Sequence, residues 1–340
     1  YWLCFKLNYR IDDFNKLEFL NIGVLKIGYK ILKIFMEKPQ NLVLIIGAFF
    51  SIYVIWGSTY LLNKIAVTEL PPFMLASMRF ITAGVLIFII AKIVGFKLQI
   101  TLKQLFNTAI AGFLFLSFGN GVIVWALKYV DSGFAALEVS AQPLVVLLML
   151  RIFEGKKIKL MSVVGTILGI IGIYLLVSQK DIVTQEGTLL GIVMIFTCMI
   201  SWSYGSLFVA KADLPSNFFV NTGYQMITGG IMLLIASLLF GEVWVFPTEW
   251  SKPVQLSMVL LIIFGAIVAF TAFNYLLKTV SPEKVATSTY VNPIIALVLG
   301  WYFLNEQITT QSIIAAIILL TGVYFINTKK KLVIYSRFRK

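Results

Sequence analysis

The sequence predicts an all-α integral membrane protein whose ten transmembrane helices form two inverted five-helix repeats, and three observations predict it. Charged residues make up 13% of the 340 and hydrophobic ones 59%, about half the charged fraction usual in a soluble chain. The 43 charges fall in short clusters that leave long neutral windows between them. The two halves of the chain also align with each other at nearly constant spacing.

Taken in order, residues 1–40 form a basic tail or N-terminal extension. Met36, followed by Glu37-Lys38-Pro39, reads as a natural start, with residues 1–35 an upstream extension of no transport consequence and an interfacial helix as the rival reading. Eight neutral windows of at least 20 residues follow, at 39–63, 104–127, 160–179, 187–210, 214–241, 253–277, 285–305 and 307–328. Each can cross a bilayer core, which takes about 20 residues of helix. Two more, 70–91 and 132–150, hold one charge each, Arg79 and Glu138. The runs are continuously apolar, not alternating, so a β-barrel is excluded and helices remain. Residues 328–340 are a second basic tail.

With the N-terminus inside, Lys and Arg divide 23 to 4 between inner and outer segments, which places both termini in the cytoplasm. The net charge of +13 is concentrated in the tails, with +3 from residues 1–40 and +6 from residues 328–340. Basic tails beside a membrane orient the chain and meet anionic lipid, so nucleic acid is not the expected partner.

The halves match at an offset of 146 through Trp56 and Trp202, and through Ile81-Thr82-Ala83-Gly84 and Ile227-Thr228-Gly229-Gly230. After a longer loop the offset is 150, pairing Leu127-Lys128 with Leu277-Lys278, Pro143 with Pro293, and Gly172-Ile173-Tyr174 with Gly322-Val323-Tyr324. The first repeat is residues 41–178 and the second 187–327. Five spans is an odd number, so the second repeat enters the membrane from the opposite side, the architecture of secondary transporters with a site between the halves.

Composition also excludes chemistries. There is no histidine, hence no histidine triad, metal ligand or proton relay. Cys4 and Cys198 have neither metal nor disulfide spacing. No nucleotide-binding glycine motif opens a soluble helix after a strand. No cofactor, metal site or enzyme activity is expected. A membrane-embedded lipid enzyme and a non-transporting scaffold are the alternatives from other classes.

Trp56-Gly57-Ser58-Thr59-Tyr60, Pro71-Pro72 followed by Arg79-Phe80, Ala126-Leu127-Lys128-Tyr129-Val130 leading to Gln142-Pro143, and Tyr290-Val291-Asn292-Pro293 followed by Glu306 carry a resemblance across residues 40–327. On these residues the chain resembles the EamA-type members of the drug/metabolite transporter superfamily. The resemblance implies ten helices, an inner-membrane location, and ATP-independent efflux or exchange of amino acids, related metabolites or small drugs. Phe153-Glu154-Gly155-Lys156 departs from the family's more usual Gly-Glu order, so no role carries over to Glu154.

Arg79 and Glu138 are the two charges inside the spans, each seven residues from the outer end, or roughly 10 Å deep at 1.5 Å per residue. An isolated charge there is costly, so the two are expected to form an ion pair facing the bundle interior. The pair either binds substrate and protons or only ties the second helix to the fourth. Their repeat counterparts are the neutral Gln225 and Ser288. Trp56 and Asn120 share the outer layer, and Trp202, Tyr204, Tyr224, Gln225, Asn274, Tyr290 and Asn292 occupy central or inner layers. Together these residues are the expected substrate-binding set. Pro143 and Pro293 are expected hinges or fixed kinks. The reading is a secondary transporter of small organic metabolites such as amino acids, an exporter or exchanger, with multidrug efflux as the alternative. Protons are a candidate coupling ion, and a monomer is expected with a dimer left open.

Overall fold

The computed structural model describes residues 42–155, 160–179, 186–280, 285, 288 and 291–327. The chain divides into two units, Tyr1–Leu44 and Ile45–Lys340, and of the first only the start of a helix, residues 42–44, is described. The tails at 1–40 and 328–340, Tyr290 and the side chain of Glu154 lie outside the described residues.

Among the described residues the fold is helical, without a strand. Seven helices are long and apolar enough to cross a membrane: α1 (Leu42–Val67), α2 (Pro72–Ile93), α3 (Leu102–Ala126), α4 (Ser132–Phe153), α6 (Thr188–Val209), α7 (Phe218–Leu239) and α8 (Lys252–Thr279). Three shorter apolar helices, α5 (Leu160–Leu176), α9 (Asn292–Leu304) and α10 (Thr310–Phe325), fall in the remaining neutral windows.

Local chemistry sets the ends. Proline in the first turn of α2 and α8 omits an N–H that would have no partner there. The first turn of α2 is held by the Glu242 carboxylate, which accepts from Phe73 N at 3.0 Å and Met74 N at 2.8 Å. Asn217 caps α7 by accepting from Phe219 N and Val220 N. Thr101 and Gln104 form a reciprocal capping box on α3. Gly155 and Asn305, at equivalent repeat positions, end α4 and α9 in the left-handed conformation, at φ 63° and 55°.

Lipid tails are as apolar as leucine, so burial of apolar surface does not draw membrane helices together, and close packing of small residues takes its place. The most extensive contacts are α2 on α7 and α5 on α10. A Cβ added to Gly84 would lie 2.8 Å from Ile227 Cγ1, and one added to Gly230 would lie 2.7 Å from Ile81 Cγ1. Glycine therefore lets the α2 and α7 backbones approach on both sides of one seam. Large apolar side chains such as Ile152 and Leu239 point outward and are well exposed, as a lipid-facing shell requires.

Three long helices loosen into π-helical turns at residues 51–55, 113–120 and 261–270. A π-turn disturbs the helical ladder and leaves carbonyls open to outside donors. Neighbouring helices supply those donors. Ser201 Oγ donates to Leu114 O at 2.8 Å and Trp56 Nε1 to Gly265 O at 3.3 Å. With its amide nitrogen turned inward, Asn292 donates to the Ile52 and Tyr53 carbonyls. One helix also breaks before proline. The α4 break falls at Ser140 and Ala141, and in the second half a turn at Val291 precedes the start of α9 at Asn292-Pro293.

Candidate functional site

Arg79 lies on the buried side of α2, 2% exposed. Its Nη1 donates to Asn63 Oδ1 of α1 at 3.4 Å and to Asn120 Oδ1 of α3 at 3.5 Å, both long for charge-assisted bonds. Its Nε is buried with no partner. The guanidinium carbon stands 4.8 Å from the Phe80 ring centroid, which adds a weak cation–π attraction. A Cβ on Gly265 would meet Arg79 Nη2 at 3.0 Å, so the bare π-turn of α8 makes room for the guanidinium.

The Gly265 carbonyl accepts from Trp56, which links this charge to an aromatic cluster. Trp56 and Trp202, equivalent in the two repeats, meet edge to face with centroids 5.7 Å apart. Phe273 packs on both, at 5.1 Å and 5.7 Å, and Phe115 and Phe270 close the group around Trp202. Such a cluster offers apolar area and ring faces beside a cation with donors to spare.

A second polar centre forms between α7 and α8. Asn274 Nδ2 donates to Thr222 Oγ1 at 3.0 Å and to Gln225 Oε1 at 3.5 Å. Gln225 Nε2 donates to Asn221 Oδ1 at 3.2 Å, and Asn221 Nδ2 to Asn274 Oδ1 at 3.5 Å. All four residues are buried and neutral. A cavity of about 190 Å³ adjoins them, lined by Asn221, Asn274, Ser206 and Lys278 among others. Lys278 Nζ donates to the carbonyls of Pro215 and Ser216, which holds the cation at the cavity wall.

The expected ion pair is not formed. Glu138 is 2% exposed and its Oε2 has no partner, while Arg79 takes the two asparagines instead. Both residues lie near the start of their helices, but the two helices have different neighbours. α2 packs on α7, α3 and α8, whereas the first turns of α4 pack on α9, α1 and α6.

The structure brings Trp56, Arg79, Asn120 and Trp202 into one neighbourhood and Gln225 and Asn274 into another. Tyr204 faces outward, 45% exposed, against Phe153. Tyr224 is tied elsewhere, its hydroxyl donating to Leu98 O at 2.9 Å. Asn292 serves the α1 π-turn. Pro143 stands in the first turn after the α4 break and Pro293 in the first turn of α9, where a missing N–H is harmless.

Sequence reasoning missed Asn63, which closed a neutral window and was read as a boundary, and it missed Gly265, Asn221 and Thr222. It also missed a rim of charges. Glu306 accepts from Ser132 N at 2.8 Å, Ser132 Oγ at 2.9 Å and Gly133 N at 3.0 Å, and so caps α4. Lys64 Nζ caps the end of α3 through the Leu127 and Val130 carbonyls. Beside them, burial pushes the Asp131 carboxyl above its ordinary range. Glu306 adds to that shift and Lys64 opposes it. Helix ends carrying opposite partial charges are a legible reason for such residues, but the partner cannot be named from the sequence.

The EamA-like transporter family profile matches the chain twice, over residues 42–178 and 189–328. An Escherichia coli K12 protein described as the uncharacterized inner membrane transporter YedA is 34% identical over 294 residues, covering 86% of this chain and 94% of its own. The uncharacterized transporter YoaV of Bacillus subtilis is 23% identical, covering 82% of this chain and 94% of its own. A probable amino-acid metabolite efflux pump of E. coli K12 is 23% identical, covering 80% and 91%. A protein of known crystal structure shares the fold at a TM-score of 0.61 and 18% identity, over 82% of this chain and 94% of that one. With both profile matches spanning most of its length, this membrane protein belongs to the EamA-like transporter family.

Proposed function

We propose that the chain is a secondary transporter of the cytoplasmic (inner) membrane that exports or exchanges small organic metabolites such as amino acids. It works by alternating access of two inverted five-helix repeats, with both termini in the cytoplasm. The observation that carries the reading is Arg79, a guanidinium buried at membrane depth with an unpartnered Nε and only long bonds to its two asparagines. A fixed structural charge would be bonded fully, because unmet donors at such depth are costly. Arg79 retains donors for an incoming carboxylate, which two nearly parallel N–H groups bind in bidentate fashion. The rings of Trp56, Trp202 and Phe273 would receive the apolar part of the same solute.

The inverted arrangement is supported by reciprocal contacts. Gly84 meets Ile227 while Gly230 meets Ile81, and the equivalent Trp56 and Trp202 touch each other. Contacts in which residue i meets j′ and j meets i′ mark a two-fold relation. The turns before Pro143 and Pro293 supply bending points in equivalent places. The efflux named for the E. coli relative agrees in substrate class. Multidrug efflux of organic cations fits less well, since Arg79 repels them.

The test is flux in proteoliposomes across a panel of labelled amino acids and related metabolites, with and without a pH gradient. Carboxylate-bearing solutes should move and their amides should not. Equal movement of amides, or movement of organic cations alone, would overturn the reading.

A further inference from the structure

Glu138 plays no part in the Arg79 centre, yet it is a carboxyl group inside the membrane region with 2% exposure and an Oε2 that meets no donor. Among the described residues its surroundings supply no countercharge. From α1 come Tyr60 and, at the outer end, Lys64, whose ammonium is held by the Leu127 and Val130 carbonyls. From α6 comes the thiol of Cys198, within electrostatic reach of Glu138 and of Tyr60. α9 and α5 offer Tyr302 and Tyr174, 69% and 67% exposed on the outer surface. Within α4's own loop Asp131 stands seven residues away beside Glu306 and Lys64. A carboxylate with no cation and no donor costs several kcal/mol or more at this depth, whereas the neutral acid costs far less.

Its backbone position adds the second observation. Ala141 N donates to Glu138 O at 3.0 Å, so Glu138 supplies the last bond before the α4 break. The equivalent bond in the second half runs from Val291 N to Ser288 O at 3.2 Å, where the side chain is a hydroxyl. One turn carries an ionisable group and its counterpart does not.

We propose that Glu138 is a proton-binding site, separate from the substrate-binding Arg79 centre, loaded in this conformation and emptied when the α4 break moves, so that solute and proton movement are coupled. The proton adds to the carboxylate from the aqueous side to which the break opens and leaves to the other. No further reactant is needed. The coupling half rests on the transport reading above, and the binding half does not.

Two measurements on the full chain test it. The first is pH-titrated infrared difference spectroscopy in phosphatidylcholine nanodiscs. At neutral pH the wild type should show a protonated-carboxyl C=O band that Glu138→Gln removes and Glu306→Gln retains, because Glu306 is bonded only as an acceptor. The second uses proteoliposomes holding a pH-sensitive dye, with the twenty amino acids supplied singly outside. At least one should shift the lumenal pH in wild type, and Glu138→Gln should cut that shift by about tenfold or more, about 1.4 kcal/mol, while labelled-for-unlabelled exchange persists. Glu138→Asp should restore part of it. Absence of a band lost in Glu138→Gln, or an undiminished pH shift in that variant, overturns the proposal. If no amino acid moves in any protein, the transport reading fails and the infrared band alone decides the proton site.

Discussion

The two buried polar centres sit at equivalent places in the two halves, since Arg79 and Gln225 share one repeat position, yet they are bonded in opposite ways. Around Gln225, four neutral side chains satisfy one another through four hydrogen bonds, the longest at 3.5 Å. Around Arg79, five guanidinium donors meet two distant amide oxygens, and Nε meets nothing. The neutral centre leaves no buried polar atom without a partner as it joins α7 to α8, while the charged one leaves Nε unpartnered. A buried group that stays unsatisfied in a folded chain is where a ligand is expected, and a saturated network is where support is expected.

The largest effect expected from this contrast is at Arg79. Arg79→Met should lower carboxylate-solute flux by about a hundredfold, the loss of about 2.7 kcal/mol, while raising the thermal midpoint in detergent because a costly buried charge is removed. Flux assay and thermal unfolding together check it. Lost flux with a lowered midpoint would make Arg79 structural and remove the contrast.

How much of this contrast was legible in the sequence depends on the coordinate involved. Helix extent was legible, because neutral windows mark where apolar helices run, and helices indeed fill the windows around Arg79 and Glu138. The repeat offset was also informative, for it singled out Trp56 and Trp202, which touch. Azimuth was not legible. Arg79 and Glu138 both lie near the start of their helices but belong to helices with different neighbours, and Tyr204, expected in the interior, turns outward. Helices that are hydrophobic all round carry little periodic signal to say which face is inside. The π-turns were hidden too, so the place of Gly265 opposite Arg79 could not be inferred from glycine alone.

The next effect is at that glycine. Gly265→Ala would put a methyl group 3.0 Å from Arg79 Nη2 and 2.9 Å from Thr59 Cγ2. The guanidinium is the movable partner, so it should be displaced and flux should fall about tenfold, or about 1.4 kcal/mol, mainly through a raised KM. An unchanged KM would show that Arg79's present position does not matter. On the saturated side, Asn274→Leu should leave flux within about threefold and lower stability by about 0.6 kcal/mol, the mean for hydrogen bonds between membrane helices. A loss of flux as deep as that of Arg79→Met would make both centres equally functional.

The smallest effects are at the rim formed by the helix ends, where a carboxyl group is perturbed in each direction. Glu69 is exposed, and the Ser251 hydroxyl and then the Ser251 N–H, at 3.0 Å, hold its carboxyl below its ordinary range. Its contribution is present above the unfolded value and is lost as pH falls through the folded one. Asp131 runs the other way, raised first by burial and then by Glu306. The folded state therefore binds this proton more tightly than the unfolded chain does, and stability rises as pH falls toward the unfolded value of 3.8. Asp131→Asn should raise the thermal midpoint slightly at pH 7, remove part of the gain as pH falls toward 3.8, and leave flux unaltered. Thermal scans across that interval check it, and an Asn variant that kept the whole pH dependence would assign it to another group. Charge at the rim would then govern how the helix ends are held, and charge at Arg79 would govern what the bundle carries.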